Sequence, residues 1–136
     1  MFKKFRKNEK GFTLAELLIV VAIIGVLVAI SIPIFTGQLK KARLATNQAN
    51  ARAAYAAATT QYMLDTATTA LTTDKDYTYD TSKGKIDTEA TAATGEITGT
   101  DISAWTESTD SLGDKTYKTW TVTLDEDGVV KEYKAS

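Results

Sequence analysis

The fold of this chain is decided near its N-terminus, where residues 11–35 read GFTLAELLIVVAIIGVLVAISIPIF. The apolar part, Leu17 to Phe35, is 19 residues long, and Ser31 is its only clearly polar side chain. A helix needs roughly 17–25 such residues to cross the hydrocarbon core of a bilayer. A chain of 136 residues has no core large enough to bury such a helix on every side. The apolar run is therefore a membrane segment or a targeting signal.

Charge is distributed unevenly around this run. Residues 1–11 hold five basic residues and one acidic residue, whereas the rest of the chain holds 11 basic and 16 acidic residues. By the positive-inside rule, the basic end stays in the cytoplasm and the C-terminal part lies outside. The sequence thus predicts a single-pass precursor in the cytoplasmic membrane.

The composition excludes several kinds of site. The chain has no cysteine and no histidine, which rules out a disulfide, a zinc site built on those residues and a serine–histidine couple. Its net charge of −1 gives no general reason to expect nucleic-acid binding. No convergent carboxylate pair or phosphate-binding loop is legible either. We therefore expect no enzyme activity, no cofactor and no metal.

Glu16 stands at the border of the apolar run and needs an explanation. A carboxylate at membrane depth is costly and usually marks a function. The alternative is a capping box, in which Thr13 caps the helix and Glu16, three residues later, reaches back to the backbone.

Two simpler interpretations of the apolar run also stay open. A secretory signal peptide would be cut at the small-x-small site Ala29–Ser31 and would release a soluble binding module that begins at Ile32. The apolar run, however, continues past that site to Phe35. The other interpretation is a plain single-span anchor.

The segment from Lys10 to Pro33 resembles the N-terminal signature of type IV pilins and the related pseudopilins. The family pattern is a basic leader that ends in Gly, then Phe-Thr-Leu-x-Glu, then an apolar helix with Gly and Pro at set distances. The residues that match in type and spacing are Gly11, Phe12, Thr13, Leu14, Glu16, Gly25 and Pro33. The resemblance covers residues 1 to about 40. Many pilins also close a C-terminal loop with a disulfide, which this chain lacks.

The resemblance implies a role for each matched residue. A prepilin peptidase would cut between Gly11 and Phe12 and would methylate the new amine of Phe12. Glu16 would pair with the Phe12 amine of a neighbouring subunit and so set the register of assembly. Gly25 and Pro33 would mark a stretch of helix that can unwind in the filament, although a simple kink or close helix packing is equally compatible.

These roles imply a structural subunit of a type IV pilus, a surface filament for adhesion, surface motility or biofilm formation. The implied partners are the prepilin peptidase, further copies of the chain in a helical filament, the pilus assembly machinery and the bilayer before assembly. A pseudopilin of a type II secretion or DNA-uptake machine shares the same signature and stays open. We expect nucleic acid as a partner only in the DNA-uptake case.

The helical pattern continues beyond the apolar run. No Pro or Gly interrupts the chain between Gln38 and Leu71, and alanine, the best helix former, is frequent. We expect one helix from near Thr13 to about Leu64, fraying over 65–73, with a solvated coiled-coil stalk as the alternative. The stripe expected to be buried recurs at steps of three and four residues: Leu39, Ala42, Ala45, Ala49, Ala53, Ala56, Thr60 and Met63.

The C-terminal part reads as a β hairpin. Residues 116–124 alternate strictly, with Trp120, Val122 and Leu124 on one face and threonines opposite. An Asp-Gly pair and a second alternating run, 129–133, follow. The acidic turn between them could also be a fragment of a calcium loop, but it offers too few ligands. The expected further core residues are Ile86, Ile97, Ile102 and Trp105, with one more strand near 95–100 and the rest of 76–115 in loops with short strands.

The sequence therefore predicts an α+β, type IV pilin-like architecture. Residues 1–11 are the leader, and 12–35 are the transmembrane and assembly half of one long helix. Residues 36–72 are its amphipathic half, and 73–136 form a globular head in which a small antiparallel sheet packs against the helix.

Overall fold

The structure, a computed structural model, describes residues 13–136. It contains one α-helix, α1 (Leu14–Thr66), and five strands. The strands are β1 (Lys75–Asp80), β2 (Lys85–Ile86), β3 (Gly95–Ile97), β4 (Thr119–Leu124) and β5 (Val130–Ala135). Two short 3-10 turns span Ile102–Ala104 and Thr109–Ser111. The α+β class and the pilin-like set of elements are confirmed.

The chain divides into two compact units, one ending at Gln38 and the other running from Leu39 to Ser136. Helix α1 contributes residues to both units. It begins one residue after the predicted start and ends at Thr66, where a threonine-rich stretch of low helix propensity begins. The helix is unbroken at Gly25 and at Pro33.

The second unit is built around a five-stranded antiparallel sheet in the order β2-β1-β4-β5-β3. Strands β4 and β5 form the predicted hairpin, and Gly128 supplies a residue with φ of +79° in its turn. The predicted strand near 95–100 is β3, which pairs with the end of β5.

Strand β1 is longer than the sequence suggested. Its six residues pair with the whole of β4, from Lys75 opposite Leu124 to Asp80 opposite Thr119. We expected only loops and short strands from residue 76 onwards. The aspartates at both ends of the segment Asp76–Asp80 obscure a strand that tertiary pairing holds in place.

The core of the second unit is aromatic. The Trp120 side chain is fully buried, and its ring stacks on that of Trp105 at a centroid distance of 6.1 Å. Tyr117 meets Trp120 edge-on at 5.8 Å, and Tyr133 meets Trp105 edge-on at 5.4 Å. The core side chains that the sequence predicted are Ile97, Ile102, Trp105, Trp120, Val122 and Leu124, which are buried, and Ile86, which is half-buried against them.

The threonine face of β4 is buried as well. Thr121 Oγ1 lies 3.1 Å from Thr78 Oγ1 and accepts a hydrogen bond from the Ala93 backbone amide at 2.9 Å. Thr123 Oγ1 donates to Asp76 Oδ1 at 2.6 Å. The alternation along β4 is therefore as predicted, but both faces of the strand are covered.

The buried face of α1 differs from the predicted stripe. The buried residues are Asn47, Ala51, Ala54 and Ala58, whereas Ala45 and most of the predicted stripe are exposed. The prediction failed because alanines lie all around this part of the helix, so that apolar periodicity distinguishes its faces poorly. The face that packs against the sheet is marked instead by a polar residue.

Candidate assembly site

The first turn of α1 carries a capping box. The Thr13 backbone amide donates to Glu16 Oε2 at 2.9 Å, and the Glu16 amide donates to Thr13 Oγ1 at 3.2 Å. Two backbone donors that the start of a helix leaves without partners are thus satisfied reciprocally. The capping interpretation of Glu16 is therefore correct for the chain by itself.

The capping hydrogen bond involves only one of the two oxygens of the Glu16 carboxylate. Among residues 13–136, Oε2 has one partner, the Thr13 amide, and Oε1 has none. One oxygen therefore stays available to a further cation. Gly11 and Phe12, at which cleavage and methylation are expected, lie outside the described residues.

Immediately beyond Glu16 the apolar side chains of α1 are exposed on every side of the helix. Between Leu17 and Phe35, every Leu, Ile, Val and Phe side chain is 48–69% exposed. The most apolar 18-residue window of α1 has a mean hydropathy of 3.1, and none of that window is buried. Within the described part of the chain, α1 is the one helix long and apolar enough to cross a membrane. An apolar surface of this size is covered in the cell by lipid or by other protein.

The stretch around Gly25 and Pro33 keeps helical geometry without contacts from elsewhere in the chain. A side chain at Gly25 would meet nothing within 4 Å. Pro33 has no backbone amide to donate to the Ala29 carbonyl. On either side of it, Ser31 Oγ donates to the Leu27 carbonyl at 2.6 Å and Thr36 Oγ1 to the Ile32 carbonyl at 2.9 Å. Such back-bonding weakens a helix slightly and favours bending.

In the acidic turn of the hairpin, the carboxylate of Asp125 forms hydrogen bonds to backbone amides of the turn itself. Asp125 Oδ1 accepts hydrogen bonds from the backbone amides of Asp127 at 3.0 Å and Val129 at 2.8 Å. Over residues 13–136, no three carboxylates converge in a way that could hold a metal ion. The predicted hairpin turn is confirmed.

Two residues that fasten the head were missed by the sequence analysis. Asn47 is fully buried; its Nδ2 donates to the carbonyls of Leu112 and Lys115, both at 2.8 Å, and its Oδ1 accepts from the Tyr117 amide at 3.2 Å. Gln48 Nε2 donates to the carbonyls of Ile102 at 3.1 Å and Trp105 at 3.3 Å. The only signal in the sequence is a pair of adjacent amides in an alanine-rich helix.

Comparison with known proteins matches the N-terminal part of the chain to a family. The family described as the prokaryotic N-terminal methylation motif matches residues 6–32. The chain is 51% identical over 57 residues to the type IV narrow pilus major component PilA5 of Thermus thermophilus, covering 40% of this chain and 49% of that one. It is 44% identical over 54 residues to the type IV major pilin PilA of Myxococcus xanthus, covering 40% and 24%. The chain therefore carries the prokaryotic N-terminal methylation motif and is similar over part of its length to type IV pilins.

The similarity to pilins covers only part of this chain and only part of each relative. A third relative, the fimbrial protein EcpB of Eikenella corrodens, is 53% identical over 37 residues, which is 27% of this chain and 23% of that one. The chain thus spans about half the length of the Thermus pilin and about a quarter of the other two. No solved structure matches the chain.

Proposed function

We propose that this chain is the structural subunit of a type IV pilus and not an enzyme. One observation carries the proposal: a carboxylate with one oxygen that has no partner among residues 13–136 stands at the start of an apolar helix whose most apolar window is not buried by any described residue. Both features lie within the segment that matches the methylation motif. A helix of this kind is completed by other molecules, first lipid and then further copies.

Processing removes the leader 1–11. The prepilin peptidase cuts after Gly11, where the absence of a side chain lets the backbone extend into a protease cleft, and methylates the new amine of Phe12. Loss of the leader removes five of the basic residues that hold the N-terminus on the cytoplasmic side. The processed chain can then leave the membrane outward during assembly.

Glu16 sets the register of that assembly. Its Oε2 stays on the Thr13 amide, and its Oε1 accepts from the methylated amine of Phe12 in a neighbouring copy. A charge of either sign left alone among apolar helices is expensive, so only the arrangement that satisfies both is populated. The pair therefore contributes specificity more than net stability.

The apolar segment 12–35 passes from lipid into the filament interior, where helices of other copies cover it. The stretch between Gly25 and Pro33 is where α1 can unwind under this packing, since it combines a glycine with a missing backbone bond. The amphipathic part 36–72 and the head 73–136 stay outside. The filament lies at the cell surface, where the heads serve adhesion, surface motility or biofilm formation.

The experiment is mass spectrometry of the N-terminal peptide from filaments sheared off cells. We expect long filaments whose subunits begin with N-methylated Phe12. A Gly11→Val precursor should keep residues 1–11, remain in the membrane fraction and yield no filaments.

Other results would assign another function. Methylated Phe12 only in the membrane fraction, with no long filaments, would identify a pseudopilin of a secretion or DNA-uptake machine. A chain starting at Ile32 in the medium would identify a secreted binding module. An uncut chain that stays in the membrane would identify a plain anchor.

A further inference from the structure

In a helical filament of identical copies, each head meets the next through two different patches of its surface. This inference rests on the pilus function proposed above. The two patches must be complementary, and both must be present on every copy. The second unit, Leu39–Ser136, carries two such patches of opposite charge.

The first patch lies near the start of the second unit, and we call it the basal patch: Lys40, Lys41, Arg43 and Lys115. It is held in place by the loop that follows the second 3-10 turn. Arg43 Nη1 donates to the Asp114 carbonyl at 2.6 Å, and Lys40 Nζ lies 3.4 Å from the Asp114 carboxylate. Lys40 and Arg43 thus both contact Asp114, and Lys41 and Lys115 are the neighbours in sequence of these contacting residues.

Lys41 is the free cation of the basal patch. Its side chain is exposed, and within residues 13–136 it makes no ion pair and no hydrogen bond. Lys115, by comparison, lies over the Tyr117 ring at 4.8 Å. Lys41 can thus take a partner from another molecule without breaking a contact within the chain.

The second patch is the acidic turn, Asp125–Asp127, between β4 and β5. Tyr62, near the end of α1, fixes its position: the phenol donates to the Glu126 carbonyl at 2.9 Å. The backbone passes so close to that ring that a Cβ at Gly128 would lie 2.8 Å from it. Asp125 is used by the turn itself, whereas the Glu126 and Asp127 side chains are exposed and make no ion pair within the described residues.

The two patches are far apart along the same helix. Lys41 and Tyr62 are separated by 21 residues of α1, which is about 32 Å at 1.5 Å per residue. A single copy cannot bring Lys41 to the acidic turn over that distance. Two copies stacked along a filament can.

We propose that the acidic turn of one copy docks on the basal patch of the next copy, with Asp127 and Glu126 facing Lys41. The partner is a second copy because one chain carries both charges, far apart in the second unit, and residues 13–136 leave both without an ion pair. The contact is exposed, so it selects the axial register of the heads and suppresses wrong arrangements rather than supplying the main assembly energy.

The test reverses one charge at a time in the full-length chain and measures the sheared filament yield. We expect Lys41→Glu alone and Asp127→Lys alone each to lower the yield about tenfold, because like charges then meet at every contact. The double variant, Lys41→Glu with Asp127→Lys, should restore the yield. Glu89→Lys is the matched control for Asp127→Lys; it makes the same charge change at an exposed head position outside both patches and should assemble normally.

Co-expression of the two single variants separates a contact between copies from an effect within one copy. A Lys41→Glu copy and an Asp127→Lys copy can satisfy each other only by alternating. We expect filaments that contain both in equal amounts. Unchanged yields for the single variants, or no rescue in either the double variant or the mixture, would overturn the proposal.

Failure of the pilus function gives a different result. If the unchanged chain forms no filaments with methylated Phe12, the proposed function fails and this contact fails with it. If the unchanged chain forms such filaments and the charge reversals have no effect, only the contact is wrong. Thermal unfolding of the detergent-solubilised, unassembled variants checks that each head is folded.

Discussion

The two units of this chain differ in how their apolar side chains are shielded from water. From Thr13 to Gln38 every residue is exposed, including the whole apolar run. From Leu39 onwards the chain buries a core of its own, in which Trp120, Val122 and Leu124 are fully buried. The first unit therefore depends on molecules outside the chain to cover it, and the second is self-sufficient.

The matched methylation motif lies entirely in the first unit. Residues 6–32 match the prokaryotic N-terminal methylation motif, and in the assembly proposed above a processing enzyme, a bilayer and neighbouring copies would all have to recognise this segment. The second unit has only to fill its own core around Trp120, which many sequences can do if volume and pattern are kept. Variants in the first unit should therefore affect assembly, and variants in the core of the second unit should affect folding.

The largest effect is expected from Glu16→Gln. Gln keeps the capping box, because its amide oxygen can still accept from the Thr13 amide, but it leaves the methylated amine of Phe12 unpaired among apolar helices. Breaking a buried pair in this way costs about 3–5 kcal/mol, so filament yield should fall more than about 100-fold. Cleavage after Gly11 and the unfolding free energy of the head should stay unchanged.

Glu89→Gln, the same change at an exposed head position, is the control for Glu16→Gln and should leave the yield as it is. Normal filaments from Glu16→Gln would contradict the assembly role. Loss of cleavage after Gly11 would instead show that Glu16 is needed for recognition by the peptidase.

Trp120→Ala should give the largest effect on folding. Removing a fully buried indole leaves a cavity between Trp105 and Tyr117, and the unfolding free energy should fall by about 3–5 kcal/mol. Denaturant unfolding of the detergent-solubilised chain, followed by near-UV circular dichroism, measures this. Processing at Gly11 should persist.

Trp120→Phe is the conservative comparison. Trp120 Nε1 is buried without a hydrogen-bond partner among residues 13–136, so Phe gives up no hydrogen bond and removes that unpaired donor. We expect a much smaller loss of stability than for Ala. An equal loss in both variants would mean that the indole is held by more than packing.

Asn47→Ala should be intermediate, at about 2–4 kcal/mol, because it leaves the carbonyls of Leu112 and Lys115 and the amide of Tyr117 without their partner. Hydrogen exchange should speed up at the Tyr117 amide. Asn50→Ala, on the same helix, makes no such contact and should change stability by at most about 0.5 kcal/mol. Equal effects of the two variants would show that Asn47 does not fasten the loop.

The smallest effect concerns pH and Asp65. The hydrogen bond from Lys75 at 2.6 Å, followed by that from Gln61 at 2.9 Å, lowers the pKa of Asp65 in the folded chain. Asp65 therefore stabilises the head fully above its unfolded pKa of about 3.9, and this contribution is lost as the pH falls through the lower folded pKa.

Asp65→Asn should remove that acid-dependent part and lower stability at neutral pH by no more than about 1 kcal/mol, as is usual for a partly exposed pair. Unfolding curves between pH 7 and pH 2 measure it. A stability that rises on acidification in the unchanged chain and not in the variant would reverse the sign argued here.

What the sequence predicts well is local. The start of α1 at the Thr13–Glu16 box, its end near Leu64 and the hairpin around Gly128 all depend on neighbouring residues and agree with the structure. The exposure of the apolar run is also predictable from local sequence. Its composition alone indicates that lipid or another protein, and not the rest of this chain, must cover it.

What the sequence does not predict depends on distant contacts. The buried face of α1 is marked by Asn47, whose partners lie 65 to 70 residues away. Strand β1 forms because it pairs with β4, and Thr121 is buried because the segment around Ala93 covers it. In each case polar residues are involved, so the sequence pattern does not mark the position as buried or as part of a strand. Only the tertiary contacts place it there.

The strands at the two sides of the sheet, β2 and β3, are only two and three residues long. They cover the ends of β1 and β5 and leave the charged residues Lys75, Asp76, Lys131 and Glu132 at the uncovered positions. In a pilus, neighbouring heads would be held side by side permanently, at a local concentration far above that at which exposed strands begin to join. A sheet whose edge strands are short or charged is a poor template for a strand from a neighbouring head, so crowded heads would keep their own folds.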